Sequence, residues 1–230
     1  NITEDWTFIG EYTYRDEDGK GFNFSDFTNS LTVETFEPRV SADIEIPTGT
    51  MVLTAGVDLE RSEYKTNYGS SAKFKQELAD VYAQLIIPLI ENLKMTIGGR
   101  NSNYESKDEI DKASYSSDLN VFQLGFNYQI SDSSRVFLRR DEGFRWPNSD
   151  ENGFVLPSVD FLEPQTSTSW EMGYETRIST LFLSALVYEL EVEDELLYDP
   201  ILFANINLDD SRRRGLVLNG VWDITDSFAV

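Results

Sequence analysis

The feature that most constrains this chain is a polarity period of two, held over segments of about ten residues and broken by connections that are alternately short and long. Val40, Ala42, Ile44 and Ile46 alternate with Arg39, Ser41, Asp43 and Glu45 up to Pro47-Thr48-Gly49; Met51, Leu53, Ala55, Val57 and Leu59 then return opposite Thr54, Asp58 and Glu60. Successive side chains of a strand point to opposite faces, so this is a hairpin with one apolar and one polar face. The pattern recurs in Ala79, Val81, Ala83, Leu85 and Ile87, returning through Leu93, Met95 and Ile97. It recurs again in Phe122, Leu124, Phe126, Tyr128 and Ile130, returning through Val136 and Leu138, and it opens the chain at Trp6, Phe8, Gly10, Tyr12 and Tyr14. Later segments are less regular: Trp170, Met172 and Tyr174 oppose Glu171 and Glu175, whereas Leu181 to Leu190 is apolar on both faces. Together they predict roughly eleven strands, most long enough to cross a bilayer at a tilt.

Short turns are predicted near 47–49, 88–92, 131–134, 178–179 and 223–227, and long polar connections near 15–30, 67–72, 107–116, 142–165 and 193–204. Short turns at one end and long loops at the other are the layout of an outer-membrane barrel. The fold class expected is therefore all-β, a partial antiparallel transmembrane β-barrel wall. A soluble sandwich alternates in the same way, but its strands commonly run only about 5–6 residues. Periodicity alone leaves open which face is outward.

Charge and composition exclude several classes of function. With 41 acidic against 19 basic residues the net charge is −22, which repels a phosphate backbone and argues against nucleic acid as a partner. The most apolar run, Leu85 to Ile90, is interrupted by Pro88 and is far too short for a membrane helix. The chain has no His and no Cys, so zinc sites of those types are out, and no metal or cofactor is expected. No Gly-rich phosphate loop or Gly-x-Ser-x-Gly elbow occurs, so no catalytic residues are assigned and an enzyme is not expected. The acidic pairs Asp108/Glu109, Glu193/Asp194 and Asp209/Asp210 fall in predicted loops and read as solvated charge rather than calcium ligands or glycosidase carboxylates. No signal peptide is visible at Asn1, where the residues already read as strand.

Several stretches resemble, in order and spacing, the C-terminal part of the barrel of TonB-dependent outer-membrane receptors. Val81-Tyr82-Ala83-Gln84-Leu85 followed by Ile97-Gly98-Gly99-Arg100 is similar to one family hairpin. The run from Val136 to Pro147 resembles the strand that ends in Gly-Phe-Arg-x-Pro, here Gly143-Phe144-Arg145-Trp146-Pro147. Leu162-Glu163-Pro164-Gln165-Thr166-Ser167, leading into Trp170-Glu171-Met172-Gly173, resembles the Leu-x-Pro-Glu-x-Ser signature. Asn205-Ile206-Asn207 with Ser211 to Gly215 resembles the strand after it, carrying Arg214 and Gly215. Gln165 and Val217 depart from the family pattern, which has Glu at both positions. Gly143, Phe144, Pro147, Leu162, Pro164, Glu171, Gly173, Arg214 and Gly215 are read as barrel architecture, with Gly allowing close approach, Pro ending strands and Glu171 facing a wet interior.

The resemblance implies a barrel of about 22 strands with a plugged lumen, sited in the outer membrane of a Gram-negative bacterium. It implies active uptake of a ferric siderophore or a comparable scarce chelate such as cobalamin. The implied partners are outer-membrane lipid, the protein's own plug domain, the TonB complex and the metal chelate. Roughly eleven strands leave open edges that lipid cannot satisfy, so residues 1–230 are expected to be part of a barrel domain, with plug and terminal strands elsewhere. Ligand contacts are expected in loops and on the upper wall: Arg139, Arg145, Trp146 and Phe154 around the longest loop, with Tyr104, Tyr115 and Tyr198 on others. Alternatives are a passive porin or substrate-specific channel and, in another class, a soluble all-β carbohydrate-binding protein or glycosidase.

Overall fold

A computed structural model describes residues 4–23, 25–67, 71–225 and 228–229. The strands are β1 (Glu4–Asn23), β2 (Ser25–Ile46), β3 (Gly49–Thr66), β4 (Ala72–Ile90), β5 (Leu93–Asp108), β6 (Ser114–Ser131), β7 (Ser134–Arg145), β8 (Gln165–Ile178), β9 (Leu181–Glu193), β10 (Glu195–Asp199), β11 (Ala204–Leu208), β12 (Ser211–Thr225) and β13 (Phe228–Ala229), with one short helix, α1 (Ser149–Asn152). Among the described residues, β1 to β9 followed by β12 and β13 form one 11-stranded sheet in chain order, while β10 and β11 pair separately. The sheet is an antiparallel meander.

The register keeps the two faces distinct. Cross-strand pairs run Phe8–Val40, Val40–Ala55, Ala55–Ala83, Ala83–Gly99 and Gly99–Phe122, so one apolar row crosses six neighbouring strands. On the other face Gln84 donates to Gln123 at 2.8 Å, and Arg100 reaches Asp58 at 3.0 Å and Asp80 at 2.9 Å. Asp58 and Asp80 are directly opposed, a repulsive arrangement that the shared guanidinium offsets. Further along this face come Arg139 with Asp141 and Glu171 at 2.6 and 2.7 Å, and Arg135 with Glu175 at 2.7 Å. Glu171 lies on this face with Arg139 as its partner.

Some connections differ from the reading of the sequence. The polar stretch 15–30, expected to be a loop, is mostly ladder: β1 and β2 stay paired from Glu4–Ile44 out to Asn23–Ser25. Polar residues hold a strand when cross-strand partners satisfy them, as where Thr32 donates to the opposed Asp16 at 3.1 Å. Likewise 107–116 shrinks to a connection between Asp108 and Ser114, and 193–204 contains β10 and the start of β11. Residues 68–70 of the predicted 67–72 connection, and 226–227 of the last predicted turn, lie outside the described residues. Turns at 47–48, 91–92 and 132–133 fall within the short connections expected, and the turn at 179–180 overlaps the predicted 178–179 by one residue.

Glycine is required where rings cross the polar face. A Cβ at Gly173 would stand 2.3 Å from the Phe137 ring, and one at Gly215 would stand 2.4 Å from the ring of Tyr188. Both rings lie directly across the ladder from the glycine, so each glycine is the floor on which a neighbour's ring lies.

Candidate functional site

The longest connection, 146–164, folds onto the polar face of β3 to β5 instead of standing clear of the sheet. Pro147 cannot continue the ladder, and Asn148-x-x-Glu151 starts α1 by a recognisable capping pattern: the Asn148 N–H donates to Glu151 Oε2 at 2.8 Å. Arg145, the last residue of β7, reaches both oxygens of Glu151 at 2.9 Å, tying the strand end to the helix. The indole of Trp146 stacks on Tyr104, with centroids 4.6 Å apart and planes 4° from parallel, while its Nε1–H donates to Ser102 at 2.8 Å.

Tyr104 is the centre of this anchorage. Its hydroxyl donates to the Pro147 carbonyl at 3.0 Å and accepts from Gln76 at 2.7 Å; Gln76 also reaches the same carbonyl at 3.1 Å. Burial pushes the Tyr104 phenol up to about 12, so it stays protonated as a donor at any physiological pH. Asn152, buried under the loop, accepts from the Leu162 N–H at 3.0 Å, and Leu162 is only 2% exposed. Phe161 completes the contact, set edge-on to Phe74 at 6.3 Å and tilted over Tyr115 at 6.0 Å. The Tyr115 hydroxyl donates to Glu163 at 2.9 Å, and burial raises its pKa.

A second connection fastens the first. The β10–β11 hairpin offers Asn205, whose side chain donates to the Glu151 carbonyl at 2.9 Å and whose N–H donates to the Phe154 carbonyl at 2.6 Å. Asn207 donates to the carbonyls of Glu163 at 2.9 Å and Asp194 at 3.0 Å, and accepts from the Glu163 N–H at 3.0 Å. Gln165 accepts from the Leu196 N–H at 3.1 Å. This glutamine, one of the departures from the family pattern, thus holds the hairpin base without bringing a charge. Loop and hairpin form one lid over the polar face.

Of the residues read as ligand contacts, Arg145, Trp146, Tyr104 and Tyr115 come together in the lid's fastenings. Phe154 lies in the lid, with its carbonyl bound to Asn205. Tyr198 stands apart, half exposed on the hairpin, and Arg139 lies lower on the wall among its carboxylates. Of the residues read as architecture, Pro147 and Leu162 are buried parts of the lid itself, and Phe144 sits edge-on to Trp146 at 5.9 Å. Arg214 pairs with Glu189 on the apolar side of the sheet. Sequence reasoning missed Gln76, Ser102, Asn152 and the lid-binding role of Asn205 and Asn207. A local signal for the lid, the Asn148-to-Glu151 capping pattern, was not among the readings of the sequence.

A meandering sheet with one apolar and one polar face, short turns at one end and a loop folded inward at the other, is the wall of an outer-membrane-type β-barrel. The family model described as TonB dependent receptor-like, beta-barrel, matches residues 1–230, and the chain belongs to that family. Among solved structures, the copper transporter OprC matches with a TM-score of 0.76 at 16% identity, over 96% of this chain and 40% of its own. The alcaligin outer-membrane receptor FauA from Bordetella pertussis gives 0.70 at 17% identity over 96% and 41%. The pyoverdine outer-membrane receptor FpvA from Pseudomonas aeruginosa PAO1 gives 0.74 at 12% identity over 97% and 41%. At these identities the likeness is one of fold, and the chain spans about two-fifths of the length of these relatives. The proteins it groups with are transporters and receptors, not enzymes.

Proposed function

We propose that this chain is part of the barrel wall of a TonB-dependent transporter in the outer membrane of a Gram-negative bacterium, taking up a ferric siderophore or a similar scarce chelate. The observation that carries this is the family match along the whole chain, supported by alcaligin and pyoverdine receptors among proteins of the same fold. In this reading the apolar face meets lipid and the polar face lines a lumen. A plug domain and the remaining strands lie elsewhere in the protein, and the TonB complex acts through them. Tyr198, Phe154 and Arg139 are the proposed ligand contacts, while Arg145, Trp146, Tyr104 and Tyr115 act by holding the lid where ligand arrives.

The test is iron-limited growth of a strain lacking the complete gene, supplied with individual ferric chelates and complemented by the intact reading frame. A growth defect specific to one chelate, restored on complementation, is expected. Unimpaired uptake of every ferric chelate would remove the siderophore reading. Uptake that persists without TonB would favour a passive channel.

A further inference from the structure

On the face turned away from the lid, two hollows lie one above the other across β1 to β5. The lower one, of about 710 Å3, is almost wholly apolar. Its floor is the row Val40, Ala55, Ala83 and Gly99, whose small side chains leave a depression beside Phe8, and the next row up is Pro38, Val57 and Val81. The upper hollow, of about 740 Å3, begins two residues further along the same strands, where Tyr12, Phe36, Leu59 and Ala79 share a row. Above them the lining turns polar, with Glu34, Arg61, Glu77 and Glu105 in cross-strand sequence. Residues two apart on a strand are about 6.6 Å apart, so the two open hollows adjoin, apolar below and polar above.

Chemistry narrows the occupant. An apolar hollow facing hydrocarbon loses dispersion contacts unless an acyl chain fills it, and the switch to polar lining marks the headgroup level. Arg61 is drawn to Glu77 at 3.5 Å and Lys107 to Glu105 at 2.8 Å, leaving Glu34 and Asp118 without an ion-pair partner among the described residues. Such a lining repels phosphate. Its carboxylates accept hydrogen bonds, Asn103 and Arg61 donate them, and Tyr12 and Phe36 present flat apolar surface. A sugar ring, with donors and acceptors at its edge and a C–H face, uses all three, whereas an ammonium group meets the carboxylates and ring faces but has no acceptor for Asn103 or Arg61.

We propose that the outward face of β1 to β5 binds a sugar-headed lipid of the outer leaflet, its acyl chain in the lower hollow and its sugar in the upper one. The assignment rests on the outer-membrane reading above. The complete protein, purified in detergent and delipidated, is mixed with monogalactosyl diacylglycerol, phosphatidylethanolamine or phosphatidylglycerol of matched chains, and retained lipid is read by native mass spectrometry. The galactolipid should be retained about tenfold over both phospholipids. Ala55→Phe with Ala83→Phe should abolish that retention, Glu77→Gln with Asp118→Asn should erase the sugar preference, and Leu218→Phe on the distant face of β12 should change neither. Equal retention of the three lipids, or retention untouched by the paired phenylalanines, overturns the proposal. Heat-modifiable gel mobility checks the folding of each variant, and if the paired variant fails to fold, Ala83→Leu decides in its place. A wild-type protein that stays soluble without detergent and lacks heat-modifiable mobility would instead sink the outer-membrane reading.

Discussion

Replacing Trp146 by alanine tests whether the lid is held from the wall or merely rests on it. The indole is 8% exposed, stacked 4.6 Å from Tyr104 and bonded to a Ser102 hydroxyl that is itself fully buried. Truncating a buried Trp costs about 3–5 kcal/mol, and the orphaned Ser102 acceptor recovers water only if the lid lifts. The ladders of β3 to β5 do not depend on the indole, so the loss falls on the closed state of the lid. A shift of that size changes the open-to-closed ratio by more than a hundredfold, at about 1.4 kcal/mol per factor of ten. Hydrogen exchange on the complete protein in detergent should then show amides of 149–164 exchanging more than a hundredfold faster, with β3 to β5 unchanged. Unchanged exchange in 149–164 would refute the anchorage, and loss of protection throughout the wall would show that Trp146 supports the sheet itself.

Asn207→Ala removes two hydrogen bonds that join hairpin to loop and a third to the Asp194 carbonyl at the hairpin's own base; at about 0.5–1.5 kcal/mol each, discounted for exposure, it should loosen 195–208 and 149–164 together. A double-mutant cycle with Asn152→Ala that shows no coupling would separate the two segments. Tyr104 has a folded pKa raised from 10.0 to about 12, so the stabilisation from its neutral form is complete below pH 10 and is lost as pH climbs toward 12. Tyrosinate absorbance should show a late-titrating phenol that is missing in Tyr104→Phe. Gly173→Ala should lower thermal stability by about 1–3 kcal/mol through overpacking against Phe137, and a second change, Phe137→Leu, should restore most of it. Equal stability of Gly173→Ala and wild type would mean the ring moves aside at no cost.

The membrane-level half of the wall was legible because each strand there has a neighbour on its own hairpin and a period that burial enforces. Val40 to Ile46 and Met51 to Leu59 could be paired from polarity and the Pro47-Thr48-Gly49 turn alone. The upper half was not, because above the apolar band a strand needs no apolar face, and the polar run 15–30 looks like loop although β1 and β2 continue through it. The lid was half legible. Gly143 to Pro147 and Leu162 to Ser167 could be marked from their resemblance, but their roles depend on partners far along the chain, as Trp146 on Ser102 and Glu163 on Asn207, each 44 residues away. Nothing local to Tyr104 distinguishes a fastening for a loop from a ligand contact.

The strands that carry the lid's fastenings, β3 to β5, run 16–19 residues, whereas β7 to β9 run 12–14. The rim is therefore slanted, and the lid is a span from its low side to its high side. On the high side Gln76 and Tyr104 sit above the last apolar row, Leu59 and Ala79, and Ser102 sits one residue below it. A gate hung in this way can swing, stiffen or change its lock through evolution without disturbing a single contact with hydrocarbon. On the function proposed above, the part of the wall that meets the bilayer and the part that meets the cargo are free to vary separately.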